Sequence, residues 1–159
     1  MHPFMPIESA TRVDERFLKK IVEYIDKYEI DYIHAEYTAM LWYVRIKKIR
    51  KNIKFVAVLH DVTIQSYYRK YETETNYLKK IAYKIEEVKS SRYEYNNLKK
   101  CDEILTFSEK DKRIIKEKYN LDSKTINTYF NLDKIQKKRK IVKRKNDGYY
   151  SICFMGQMG

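Results

Sequence analysis

Glycine is missing from the first 147 residues of this chain, because its three glycines are Gly148, Gly156 and Gly159. Glycine is the residue that lets backbone amides approach a phosphate closely. Neither a P-loop nor a complete G-x-G-x-x-G fingerprint can therefore stand before residue 148. The candidate phosphate loop is Gly156-Gln157-Met158-Gly159, directly after the apolar run 149–155.

The glycine-free part alternates short apolar runs with longer segments of 3.6-residue period, the pattern of strand and helix taking turns around a parallel sheet. Strands are expected at 30–34, 54–60, 103–108, 124–129 and 149–155. A helix over 11–28 places Phe17, Ile21, Tyr24, Ile25 and Tyr28 on one face, with Thr11-x-x-Asp14 reading as a capping box. Residues 38–50 read as a second helix, and Leu78, Ile81, Ala82, Ile85, Val88, Tyr95 and Leu98 mark a long one ending near Lys100. Ser108-x-x-Asp111 opens a helix to about Tyr119, with Ser108 as N-cap. The fold class expected is α/β, a Rossmann-like parallel sheet with flanking helices.

Charge divides the chain further. The net charge is +12, and Lys134, Lys137, Lys138, Arg139, Lys140, Lys143, Arg144 and Lys145 supply eight of it without an intervening acid. This stretch reads as an interdomain linker first and as a contact for anionic lipid headgroups second. The expected organisation is a Rossmann-like domain over 1–133, a basic linker over 134–148, and the first strand and glycine turn of a further domain over 149–159. Tyr67, Tyr68, Arg69, Lys70 and Tyr71 mix aromatics with cations as single-strand binders do, but sixteen tyrosines make such clusters ordinary here. Cys101 and Cys153 match no paired or metal-binding spacing and read as reduced packing residues, which fits a cytoplasmic compartment. No apolar stretch is long enough to span a bilayer.

In a parallel sheet, ligands sit beyond the carboxyl ends of the strands. Those ends carry His34 with Glu36, His60 with Asp61, Ser108, Tyr129 with Asn131, and Gly156. His60 reads as functional, since an imidazole closing the apolar run FVAVL has little structural reason to be there. His34 reads equally as a site residue or as a strand end bonded to a loop, and Glu36 shares that ambiguity. Asp61 either holds the His60 ring in one tautomer or caps the next turn, with capping the commoner role. Ser108 lacks the flanking glycines of a nucleophile elbow. No HExxH, paired CxxC or Asp-rich loop offers a metal site.

Five segments in order resemble the glycosyltransferase family 4 class: DYIHAEYT, FVAVLHD with Arg69 shortly after it, YEYNNLKKCDEILTFSEKD, TYFNLDKI, and ICFMGQMG. The likeness runs from about Asp31 to Gly159 and corresponds to the later part of an N-terminal, acceptor-side domain of a GT-B fold with the first strand of its donor domain. Phe130, Leu132 and Gln157 depart from the family pattern, and the early Gly-rich loop and the Glu-x7-Glu donor motif are absent. The resemblance implies half of a retaining glycosyltransferase, inactive alone, that moves a sugar from a nucleotide-sugar to a glycan, lipid-linked or cell-envelope acceptor. It implies no cofactor and no protein-held metal. It places His60 beside the transferred sugar as the catalytic group, Gly156 at the donor diphosphate, and Glu36, Asp61 and Arg69 as substrate contacts. A cytoplasmic location, peripheral at the inner face of an anionic membrane, goes with that reading. Two alternatives stand beside it: a nucleic-acid-binding module using 134–145, although no specific nucleic acid is expected, and a non-catalytic Rossmann-like domain that binds a partner.

Overall fold

The structure, a computed structural model, describes residues 4–126. The chain divides into two compact units, Met1–Thr128 and Tyr129–Gly159, and the described residues belong to the first. The basic stretch 134–148, the strand expected over 149–155, Tyr129, Asn131 and Gly156 lie outside the described residues.

A single turn, α1 (Ile7–Ala10), precedes α2 (Glu15–Tyr28). The expected capping box does not form. Asp14 is itself the N-cap, its carboxylate accepting from the amides of Arg16 and Phe17, while the Thr11 hydroxyl donates to the Glu8 carbonyl at 2.8 Å. Asp14 extends over a free helix end and satisfies two orphan amides, which a residue three positions earlier does not reach. At the other end Glu29 adopts a left-handed conformation, φ 50°, and turns the chain into β1 (Tyr32–Glu36).

Residues Thr38–Lys48 form a 3₁₀ helix, not an α-helix. Thr38, Ala39, Leu41, Trp42, Tyr43, Val44 and Ile46 are all buried, and only a narrow edge with Arg45 and Lys48 meets water. Packing around most of its circumference accompanies this tighter winding, which is unusual at such length. Tyr43 ties the segment to the start of α2: its hydroxyl donates to the Arg12 carbonyl at 2.8 Å and accepts from the Asp14 amide at 3.1 Å.

The remaining elements are β2 (Lys54–Leu59), α3 (Thr63–Thr73), α4 (Tyr77–Leu98), β3 (Glu103–Thr106), α5 (Glu109–Tyr119) and β4 (Lys124–Thr125). The four strands pair in parallel in the order β1-β2-β3-β4. This is the α/β, Rossmann-like parallel sheet with flanking helices that the alternating pattern implies. From Phe55 to Leu59, β2 is buried at every residue, as befits a central parallel strand. Each crossover advances one strand in the same direction, and right-handed connections then put successive helices on one face. The main core agrees: it takes Phe55, Ala57 and Leu59 from β2 together with Leu18, Ile25, Leu41, Leu98, Ile115 and Tyr119, but not Val56 or Val58.

Two carboxylates lock this frame. Asp102 Oδ2 accepts from the Phe55 amide at 2.8 Å and from Lys47 Nζ at 2.6 Å, and the Asp102 amide donates to the Phe55 carbonyl at 2.9 Å. The starts of β2 and β3 are thereby fixed side by side. Glu94, fully buried on α4, accepts from Thr38 Oγ1 at 3.2 Å and from the Tyr119 hydroxyl at 2.7 Å. It joins the 3₁₀ helix, α4 and α5 in one polar contact. Burial, and then the Glu94 charge, push the Tyr119 hydroxyl far above its ordinary titration range.

Of the apolar residues that mark α4 in the sequence, Leu98 alone lies on its buried side. Its buried positions are Glu86, Ser90, Tyr93, Glu94 and Leu98, whereas Leu78, Ile81, Ile85, Val88 and Tyr95 are exposed.

Candidate functional site

The carboxyl ends of β1 and β2 bring Glu36 and His60 together. His60 Nε2 lies 2.7 Å from Glu36 Oε2. An ionised carboxylate offers lone pairs alone, so the ring nitrogen donates and Nδ1 is left to face other partners. The parallel register explains the meeting: Glu36 pairs with Val58 across the sheet, and His60 follows two residues later on the neighbouring strand. Asp61 does not take this role, and it is Val62 that occupies the N-cap of α3, without a side-chain bond. Glu36 is thus the carboxylate bonded to the His60 ring.

Aromatic rings flank the imidazole. Tyr37 stacks on it with centroids 4.2 Å apart and planes 19° from parallel, and Phe107 lies tilted at 4.8 Å. Tyr37 holds φ 69° and ψ 148°, a region almost confined to glycine. Its amide donates to the Val58 carbonyl at 2.9 Å, which extends the β1–β2 ladder by one bond and fixes the unusual backbone. The strained backbone thus lies at the residue whose ring stacks on His60.

A second feature follows His60 in sequence. Asp61, Val62, Gln65, Ser66, Arg69, Lys70, Lys110 and Asp111 line a cleft between the start of α3 and the start of α5. Asp111 is already engaged: Gln65 Nε2 donates to its Oδ1 at 3.1 Å, and the Ser108 hydroxyl donates to its Oδ2 at 2.5 Å. Ser108 also accepts the Asp111 amide at 3.0 Å, so it is the expected N-cap. The cations Arg69, Lys70 and Lys110 make no ion pair among the described residues. The cleft is thus suited to an anionic or polyhydroxylated ligand.

His34 does not stand at a strand end, since β1 continues to Glu36. It pairs with Val56 in mid-strand and joins Ile33, Ala35, Phe17 and Met40 around an apolar recess. Gly156 lies outside the described residues. Of the expected site residues, the fold joins Glu36 to His60, and Asp61 to Arg69. Sequence reasoning passed over Tyr37 and Phe107, whose signal was an aromatic residue immediately beyond each of two strand ends. Among the described residues, no group of three or more His, Cys, Asp or Glu side chains is placed to hold a metal ion.

The family model described as Glycosyltransferase Family 4 matches residues 2–131. No curated protein and no solved structure matches the chain. The matched span contains every described strand and helix together with Glu36, His60, Asp61 and Arg69. This chain belongs to glycosyltransferase family 4.

Proposed function

We propose that this chain is the acceptor-side half of a retaining, GT-B-type glycosyltransferase that moves a sugar from a nucleotide-sugar donor to a glycan, lipid-linked or cell-envelope acceptor. A glycosyltransferase-type role follows from the family; the donor class, the stereochemistry and the incompleteness are the reading advanced here. The supporting observation is the Glu36–His60 pair, held between Tyr37 and Phe107 at the carboxyl edge of the sheet.

Sugar transfer builds positive charge at the anomeric carbon while negative charge leaves with the nucleotide. A fixed polar group beside the sugar lowers that barrier without reorganising. In this reading Glu36 orients the His60 ring, and His60 positions the transferred sugar. Asp61 and Arg69 bind the acceptor in the cleft that they line. Gly156 admits the donor diphosphate to backbone amides at the start of the donor domain, and closure of the two halves excludes water. No metal held by the protein and no cofactor takes part. The enzyme works in the cytoplasm, peripherally at the inner face of an anionic membrane.

Replacing His60 by Ala in the enzyme carrying both halves is expected to lower transfer by about 10²-fold or more. Stability should be unchanged, because the imidazole is partly exposed. Undiminished turnover removes His60 from the mechanism.

A further inference from the structure

A cavity of about 400 Å³ opens at the edge of the sheet opposite to His60. Trp42 and Val44 supply its apolar wall, and Arg45, Lys48, Asn97 and Lys100 the polar part of its lining. Its place follows from Lys47, whose Nζ donates to the Lys100 carbonyl at 3.2 Å and to Asp102 at 2.6 Å, where β2 and β3 begin. An apolar wall with a few convergent polar groups, at this size, fits a small organic molecule.

The charged groups are of one sign. Glu15 is bound to Arg45 at 2.9 Å and Asp102 to Lys47 at 2.6 Å, whereas Lys48 and Lys100 make no ion pair among the described residues. Partial burial, and then the charges of Lys48, Lys99 and Arg45, hold the Lys100 ammonium below its ordinary range. A cation at the carboxyl end of a helix meets favourable backbone charge, which accounts for one lysine at the end of Thr38–Lys48 and one after α4. It does not account for Arg45, Lys48, Lys99 and Lys100 crowding one another. A bound anion relieves that repulsion.

The wall adds a second requirement. The Arg45 guanidinium lies over the Trp42 ring, 4.0 Å from its centroid. One of its N–H groups is used on Glu15, and a planar guanidinium stacked in this way can take a further ring. An aromatic ligand extends the stack, while a phosphate on it bridges Lys48 and Lys100. Inorganic phosphate would satisfy the lysines and leave the wall of Trp42 and Val44 uncovered.

We propose that this cavity binds a nucleoside monophosphate, its base against Arg45 and the Trp42–Val44 wall and its phosphate between Lys48 and Lys100. The site is separate from the His60 edge and from the diphosphate contact read at Gly156, and it does not rest on the sugar-transfer reading.

Trp42 is the single tryptophan of the chain, so its fluorescence reports on this cavity. The whole chain is titrated with AMP, with inorganic phosphate and with adenosine. Saturable quenching by AMP is expected, with a Kd at least about tenfold below that of either of its parts. Changing Lys48 and Lys100 together to Gln should weaken AMP binding about tenfold or more. The same change should leave the urea midpoint unaltered or raised, because it removes repulsion. His60→Ala should bind AMP as the parent does. Absence of saturable quenching by AMP overturns the proposal, as does full retention of AMP binding by the double Gln variant. Phosphate that binds as tightly as AMP also overturns it, because the cavity then takes the anion alone.

Discussion

Among the described residues with positive φ, Tyr37 lies farthest from the ordinary left-handed helical region. Its backbone occupies a region that costs a residue with a Cβ about 1–3 kcal/mol. Glycine at this position relieves that cost, and its own chain entropy offsets about 0.5–1 kcal/mol of the relief. Tyr37→Gly is therefore expected to unfold in urea within about 1 kcal/mol of the parent. Tyr37→Ala keeps the strain, loses the ring, and should be the less stable of the two by about 1 kcal/mol or more. Both should lose sugar transfer, because the ring that steadies His60 is gone; equal stability of the two variants would remove strain from the account. Cys101 gives a second check at this scale. Burial pushes its thiol up to about 12, and Sγ donates to the Asn97 carbonyl at 3.5 Å. At pH 8 its alkylation in the folded chain should be about 10³-fold slower than in urea, measured by mass spectrometry of the Cys101 peptide.

At the scale of elements, Asp102 and Glu94 decide how strands and helices meet. Both fall in the segment YEYNNLKKCDEILTFSEKD that carries much of the family resemblance, and both prove structural. Burial raises the Asp102 carboxyl, but the bonds from Lys47 and the Phe55 amide, with the charge of Lys54, outweigh it and hold the group below its ordinary range. A carboxyl depressed in the folded state stabilises fully above its unfolded value and loses that contribution as pH falls through the folded one. Asp102→Ala is expected to cost about 1.5–3 kcal/mol at neutral pH. The difference from the parent should shrink below about pH 4, read from urea midpoints across pH. A cost that stays constant to pH 2 would mean packing, not charge, is what Asp102 supplies. The start of α5 was legible because a cap acts locally: Ser108 accepts the Asp111 amide as expected, whereas at α2 it is Asp14 and not Thr11 that caps, and Asn76 caps α4 without having been singled out. The 3₁₀ winding of Thr38–Lys48 was not legible, since its near-complete burial depends on neighbours distant in sequence.

For the whole molecule, charge sets the expected behaviour. Eight of the twelve net positive charges lie in 134–145. Any binding to oligonucleotides should therefore be non-specific, with a Kd of about 10⁻⁴–10⁻⁶ M at physiological salt, and should weaken steeply as salt rises. Fluorescence anisotropy with unrelated sequences checks this, and a strong preference for one of them would favour the nucleic-acid reading instead. Among the described residues, no helix is long and apolar enough to cross a membrane.

The sequence by itself determined the alternation of strand and helix, the burial of the apolar run in β2, and the place of a histidine directly after that run. These follow from periodicity and from a polar residue closing an apolar run, both readable within a few positions. Only the tertiary structure decided that Glu36 and not Asp61 holds His60, that His34 stays in mid-strand, and that α4 turns its apolar side outward. Each depends on register between strands or on a buried hydrogen bond from a distant segment. The glycine count that excluded a phosphate loop in the first 147 residues has its counterpart at Tyr37, where the fold needs a glycine-like backbone and the chain supplies a tyrosine, because its ring has His60 to stack on.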